Sequence, residues 1–370
     1  MSNIVRNADY TREYNRKNIL RHLRKSPMSR AELARITGLS RANISLIVED
    51  MLQRGLLREM PPQAGGRGRN ATPLALRPGA LYAMGVQISR VGYSVGLADL
   101  AGSLVAARSI PDNGNTMDAI VDNLEKISHL VDRNRILGIG VTSPGPVDQV
   151  GGEILNPPRF ERWHSVHIVK LLEDALGMKT YLEQDVRAMT MRQLAIGDTQ
   201  NFMLLYVDNG IGAGIVTNGR LAGTTRHFTG ELGHITIRFD GRLCECGNRG
   251  CLEAYAGVNR LLEGSEYPNW KSLIDHVDQD EEARRLLDLE GVYLGAGVLN
   301  LLNLVPVDTV LLSGEIAYGS DRLANRIQRE IETKALFRRK NPIRVALAKQ
   351  EQNAPVLSAA EVVFHENLTI

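Results

Sequence analysis

The chain has 370 residues, 43% of them apolar, and a formal net charge of +2. That composition suits two or three compact soluble domains. No run of about 18 apolar residues is present, and MSNIVRNADYTREYNRK lacks a signal-peptide core, so no membrane contact is expected and the chain is expected to stay in the cytoplasm.

The charge is unevenly divided. Residues 1–79 hold 15 Lys and Arg against 6 Asp and Glu, a net of +9, while the remainder holds 29 against 36, a net of −7. A basic head on an acidic body points to a polyanionic partner. The segment NILRHLRKSPMSRAELARITGLSRANISLIVEDMLQRGLLREM reads as three helices. Ile19, Leu20 and Leu23 give the first an apolar face. Ser29 and Glu32 have capping-box spacing for the second, in which Leu33 and Ile36 are expected to face inward. Thr37-Gly38-Leu39 makes a tight turn, and Ser40 can cap the third helix. There Ile44, Ile47, Val48, Met51 and Leu52 form one stripe at helical spacing. Helix, glycine turn, helix is the helix-turn-helix pattern.

The third helix would read the DNA major groove from its N-terminal half. Ala42, Asn43 and Leu46 project away from the stripe, and Arg41 falls beside phosphate. Leu46 suits either a thymine methyl or packing against a neighbouring chain. The following LLREMPPQAGGRGRNATPLALRP reads as a winged hairpin around a Gly/Arg loop. Arg67 and Arg69 would then enter the minor groove, the alternative being a basic linker.

From Leu81 the pattern becomes that of a β-meander, followed by alternating helices and strands: an α/β body. All three cysteines, Cys244, Cys246 and Cys251, fall within GRLCECGNRGCLE. Three thiols cannot pair completely, and disulfides are rare in a reducing compartment, so metal ligation or simple burial is expected.

The body resembles the ROK family of sugar kinases and sugar-responsive repressors. The resemblance rests on VTSPGPVD (141–148), YLEQD (181–185), NGIGAGIVTNGRLAG (209–223), TGELGH (229–234) and CECGNRGCLE (244–253), in that order. With the winged helix-turn-helix it covers almost the whole chain and is similar to the family's repressor branch. It implies a two-lobed, actin-like (sugar-kinase-like) body. The expected organisation is a DNA-binding head at 1–79, a first lobe at 80–190 onto which a C-terminal helix at about 355–370 folds back, and a second lobe at 191–354 with the metal motif and an oligomerisation surface. His234, separated from Cys244 by nine residues, completes with Cys244, Cys246 and Cys251 a closed tetrahedral set for one structural Zn2+. By resemblance, that zinc braces the loop carrying the sugar contacts.

A kinase of this family has Gly-x-Asp-x-Gly-Gly-Thr after its first strand. Here the stretch reads Gly85-Val86-Gln87-Ile88-Ser89-Arg90-Val91. The magnesium-ordering acid, the two phosphate-approaching glycines and the threonine hydroxyl are all replaced. The second phosphate loop begins Asp208-Asn209-Gly210, and the late Gly-Gly reads Ser313-Gly314-Glu315. Phosphoryl transfer depends on positioning and charge neutralisation, so the body is read as non-catalytic.

The sugar side is better kept. The resemblance places Asp185 where the kinases hold their base, and it matches Glu231, His234 and Glu253 to sugar-contacting positions. Gln184 stands where the family has Asn. Arg159 stands where the kinases have Asn, which suits a phosphorylated or acidic sugar or an ordinary surface arginine; Arg226 and His227 lie near TGELGH. The expected protein is a homo-oligomeric regulator, dimer or tetramer, that binds double-stranded operator DNA and answers to a sugar or sugar-phosphate effector. Repression is the first reading, with activation open. A sugar kinase with an attached DNA-binding head and a body that docks a protein partner are the alternatives.

Overall fold

The computed structural model describes residues 8–61, 72–90, 92–111, 116–223, 230–336 and 342–368. They form two units. The first comprises residues up to 157, 162–196 and those from 352 onward; the second comprises 158–161 and 197–351.

The first unit begins with α1 (Ala8–Lys25), β1 (Met28–Ser29), α2 (Arg30–Thr37), α3 (Arg41–Gln53), β2 (Leu57–Glu59) and β3 (Pro73–Leu76). The capping box at α2 is formed: Ser29 Oγ accepts from the Glu32 amide, and the Glu32 carboxylate accepts from the Ser29 amide at 2.8 Å. Gly38 ends α2 at φ +71°, a left-handed conformation that glycine adopts without steric cost. Ile36 departs from the expectation and is 41% exposed. The buried stripe of this two-turn helix runs through Arg30, Leu33, Ala34 and Thr37, and Ile36 falls off its edge. Strands β2 and β3 pair antiparallel, and β1 adds to β3, giving the sheet of a winged helix-turn-helix. The loop joining β2 to β3, with Arg67 and Arg69, lies outside the described residues.

Next come β4 (Tyr82–Ser89), β5 (Gly92–Asp99), β6 (Leu104–Pro111), α4 (Thr116–Ser128), β7 (Ile136–Ser143), the short pair β8 (Val147–Asp148) and β9 (Glu153–Ile154), α5 (Ile168–Leu176), β10 (Thr180–Gln184) and α6 (Asp185–Ile196). The second unit carries β11 (Phe202–Val207), β12 (Ile211–Thr217), β13 (Arg220–Leu221), α7 (Glu253–Ala256), α8 (Val258–Leu261), α9 (Trp270–His276), α10 (Glu281–Leu302), β14 (Thr309–Gly314), α11 (Ser320–Lys334) and β15 (Arg344–Leu347). The chain then returns to the first unit as α12 (Ala354–Leu368).

The two large sheets share one topology. The first runs β10-β7-β4-β5-β6 and the second β13-β12-β11-β14-β15. In each, the first three strands form an antiparallel meander and the last two add in parallel on the other side of the first strand. Parallel addition requires a crossover, which the intervening helices supply. Helix α12 lies on β4, β5 and β7, where Gly85 and Gly140 admit it: a Cβ on Gly140 would stand 1.9 Å from the Ala359 carbonyl oxygen. One apolar cluster joins Ile19, Leu20 and Leu23 of α1 to Leu357, Val363 and Phe364 of α12. The head therefore shares its core with the first sheet's covering helix. No helix among the described residues is long and apolar enough to cross a membrane.

Candidate DNA-reading, metal and ligand sites

Helix α3 presents its N-terminal half to solvent. Ser40 caps it, its Oγ accepting from the Asn43 amide at 3.2 Å. Arg41, Ala42, Asn43 and Ser45 are exposed, and Leu46 is 68% exposed, while Ile44, Ile47, Val48 and Met51 are buried. The outward surface of α3 thus joins a cation, an amide and an apolar side chain, the chemistry that reads phosphate, adenine and thymine.

The four expected metal ligands converge. One ligand atom from each of His234, Cys244, Cys246 and Cys251 lies within 4.8 Å of all the others. Cys246 Sγ and Cys251 Sγ are 3.7 Å apart, and Cys244 Sγ is 3.7 Å from His234 Nδ1. In a tetrahedron with metal–sulfur bonds of about 2.3 Å, neighbouring sulfurs stand about 3.8 Å apart. Two of the spacings match that edge, and all four donor atoms are close enough to share one ion. The loop that builds it is closed by backbone bonds, Cys244 N to Asn248 O at 2.8 Å and Gly250 N to Arg242 O at 2.8 Å. Asn248 Nδ2 donates to Thr236 Oγ1 at 3.1 Å and lies 3.5 Å from Cys251 Sγ. Burial, with the neighbouring thiols, pushes the Cys251 thiol up to about 12 and raises that of Cys244. Burial also opposes ionisation of Cys246, but the Asn248 amide and the adjacent thiols outweigh it and lower its pKa.

Two glycines let residues 230–234 thread beside the metal loop. A Cβ on Gly230, at φ +97°, would lie 1.9 Å from the Ala213 carbonyl oxygen, and the Gly230 carbonyl accepts from the Ala213 amide at 2.7 Å. Gly233 brings the backbone close to the Glu253 carboxylate. Glu253 opens α7 two residues after Cys251, and its Oε2 accepts from the Ile211 amide at 2.9 Å, tying the metal motif to the start of β12. Glu231 precedes the 3-10 turn Leu232–His234 and is half-buried.

A small cleft is lined by Arg159, Asn209, Glu245, Glu253, Asn259 and Arg260, among others. Arg159, at φ +55°, pairs with Glu245 at 2.9 Å, and Arg260 donates to the other oxygen of Glu245 at 3.1 Å. Glu245, Asn259 and Arg260 are not singled out from sequence, and Asn209 only as part of the altered second phosphate loop. The acid between the ligands Cys244 and Cys246 was the available signal. Glu231 and His234 are not among the residues lining this cleft.

Gln184 and Asp185 lie in the first unit, at the junction of β10 and α6. The Val186 amide donates to Asp185 Oδ1 at 2.7 Å. The adjoining Glu183 is buried; it accepts from the Gln184 amide at 2.8 Å, from Arg187 Nε at 3.1 Å and from Gln149 Nε2. Burial raises the Glu183 pKa despite these partners. This network fixes the first turn of α6, and with it Asp185. Arg226 and His227 lie outside the described residues.

A winged helix-turn-helix head followed by two α/β halves of one repeated topology defines a class: a DNA-binding head on a sugar-kinase-like body. The family model described as "ROK family" matches residues 83–366, and one described as "MarR family" matches residues 11–68. The chain belongs to the ROK family. It is similar to the xylose repressor of Bacillus spizizenii, 27% identical over 99% of each chain. It is similar also to the DNA-binding transcriptional repressor Mlc of Escherichia coli, 28% identical over 84% of this chain and 82% of Mlc. Among solved structures, a ROK family transcriptional regulator described as a homolog of the E. coli MLC protein superposes with a TM-score of 0.80 at 23% identity, covering 97% of this chain and 98% of that one. The ROK hexokinase of Thermus thermophilus gives 0.65 at 26% identity, covering 77% of this chain and 99% of its own.

Proposed function

We propose that this chain is a DNA-binding transcriptional regulator, a repressor in the first reading, whose body binds a sugar or sugar derivative and thereby changes its affinity for operator DNA. The observation that carries the reading is the solvent-facing half of α3, with Arg41, Asn43 and Leu46 outward on a head of net charge +9. The named relatives, a xylose repressor and Mlc, support it. Asp185, Glu231 and Glu253 are the proposed acceptors for sugar hydroxyls, with Gln184 and His234 beside them in sequence or in the metal motif. Arg159 is paired with Glu245, so an anionic group on the ligand would have to compete with that carboxylate.

Zinc is the proposed metal, because three thiolates and one imidazole brought within reach of one ion suit it and, as four ligands, leave no open position. It would brace the loop between Glu245 and Glu253. The body is proposed to be non-catalytic. Gln87 and Ser89 lie on β4 where the kinases hold their first phosphate motif, and Ser89 Oγ is spent on the Gly92 carbonyl at 2.9 Å. Glu315 sits beside Asp208, and burial together with that second carboxylate raises its pKa. Two acids at the nucleotide loops repel the phosphates a kinase must neutralise.

The test is a thermal-shift screen of purified protein with xylose, glucose, N-acetylglucosamine and their phosphates. A sugar that binds the native state raises its melting temperature. The same sugar with ATP and magnesium should yield no sugar phosphate. Measurable turnover would instead make the chain a kinase with a DNA-binding head.

A further inference from the structure

The stretch VLSAAEVVFH of α12 is mostly apolar and holds a single acid, Glu361. Its side chain is 3% exposed. Arg24 of α1 grips it with two parallel hydrogen bonds, Nη1 to Oε1 at 2.6 Å and Nη2 to Oε2 at 2.8 Å. From α6, Arg192 Nη1 reaches Glu361 Oε2 at 3.4 Å. Each arginine also donates to the β5–β6 connection: Arg24 Nε to the Leu100 carbonyl at 3.0 Å and Arg192 Nη2 to the Gly102 carbonyl at 3.2 Å. The Arg24 guanidinium lies 4.8 Å from the centre of the Phe364 ring. A carboxylate and two guanidinium groups thus meet against a cluster of apolar side chains, with the buried His365 of α12 close enough to interact with Glu361 and Arg24.

Desolvation offsets most of what such a network gains, and apolar side chains of similar volume pack at least as well. What the charges add is register, since the Arg24 fork fits Glu361 in one geometry. The three elements so registered have different duties. Helix α1 packs on α2 and α3 of the head. Helix α6 begins at Asp185, and Arg192 stands two turns further along the same helix. Helix α12 rests on the first large sheet. The hold on the carboxylate is asymmetric: Arg24 engages both oxygens at short distance, whereas the bond from Arg192 to Oε2 is longer, and a small movement of α6 would break or tighten it.

We infer that Glu361 is the positioning residue through which the Asp185 end of α6 and the DNA-reading head are coupled. It rests on the proposed reading of α3 as the DNA contact and of Asp185 as the ligand contact, and it adds the route between them. Coupling between two sites is reciprocal, so DNA bound at α3 must register at α6.

The experiment is hydrogen exchange on the full chain, with and without a DNA duplex selected by it from a random pool. In the wild type, DNA should slow exchange in α3 and change the rates of the α6 amides by about fivefold or more. In Glu361→Gln, which keeps the shape and removes the charge, α3 should still be protected while the α6 response falls below about twofold. A merely structural role would raise exchange with and without DNA and leave the difference intact. Should Glu361→Gln fail to fold, Arg192→Lys decides by the same readout, since it weakens only the α6 arm. An α6 response that persists in the folded variant, or is absent in the wild type, overturns the inference alone. Absence of α3 protection in the wild type overturns the DNA-binding reading as well.

Discussion

Glu253 shows how one side chain serves structure and recognition together. Its Oε2 already accepts from the Ile211 amide at 2.9 Å. Glu253→Ala removes that acceptor, and an amide left unpaired costs on the order of 1–3 kcal/mol. The variant should therefore melt lower than wild type and bind sugar more weakly. Asp185→Ala separates the two roles. It should cost roughly 5- to 150-fold in sugar affinity by the same rule while operator affinity stays within about twofold. Full inducer response in a reporter assay would place the pocket elsewhere. For the metal, Cys246→Ser should lower zinc content below the expected one per chain and lower the melting temperature with it, because binding energy at such a site is folding energy. A metal-free preparation with undiminished melting temperature would contradict this. The four ligands were legible because their chemistry is rare and the motif is nearly local. The pairing of Arg159 with Glu245 was not, since it depends on a fold that brings 158–161 to the second unit.

At the scale of elements, α3 divides cleanly into a buried and an outward face, so its two functions can be varied separately. Ser40→Ala should lose about 1 kcal/mol of stability through the missing cap. Leu46→Ala, at a site 68% exposed, should leave the melting temperature unchanged and weaken DNA binding. Unchanged affinity would assign Leu46 to contact with another chain instead. Helix α10 carries a different feature. Glu290 is fully buried and neither carboxyl oxygen has a hydrogen-bond partner among the described residues. Burial raises its pKa well above the ordinary carboxyl value. The folded chain then keeps a proton that the unfolded chain releases above about pH 4.3. Stability from this group is therefore greatest below that pH and falls as pH rises toward the folded pKa. Glu290→Gln should raise the melting temperature at pH 8, with the gain shrinking toward pH 5; an equal gain at both would contradict the assignment. Helix α12 was expected only through the resemblance, while periodicity revealed α3, where the stripe repeats over three turns. It misplaced Ile36, because an eight-residue helix fixes the direction of its buried face loosely. Glu361 is an acid in an apolar run, but its partners on α1 and α6 lie 337 and 169 residues away in sequence, which no local pattern signals.

For the whole molecule, charge and topology argue in the same direction. The net +9 lies in the head, and the body is two copies of one sheet order, each an antiparallel meander extended by parallel strands. The duplication was legible only through the resemblance, since the two halves share topology without an evident repeat in sequence. The return of the C-terminal helix to the first lobe was legible through the resemblance, but the sharing of one apolar cluster by α1 of the head and α12 was not, since the two helices lie at opposite ends of the chain. The central claim is that sugar binding to a non-catalytic body changes DNA affinity. Its most direct test is fluorescence anisotropy of a labelled duplex, selected by the full-length protein, titrated with protein at fixed ionic strength with and without a saturating sugar from the thermal-shift screen. The predicted result is a shift in DNA affinity of about 5- to 150-fold, the range of ordinary allosteric coupling. Identical isotherms for every sugar that binds the body would contradict the account.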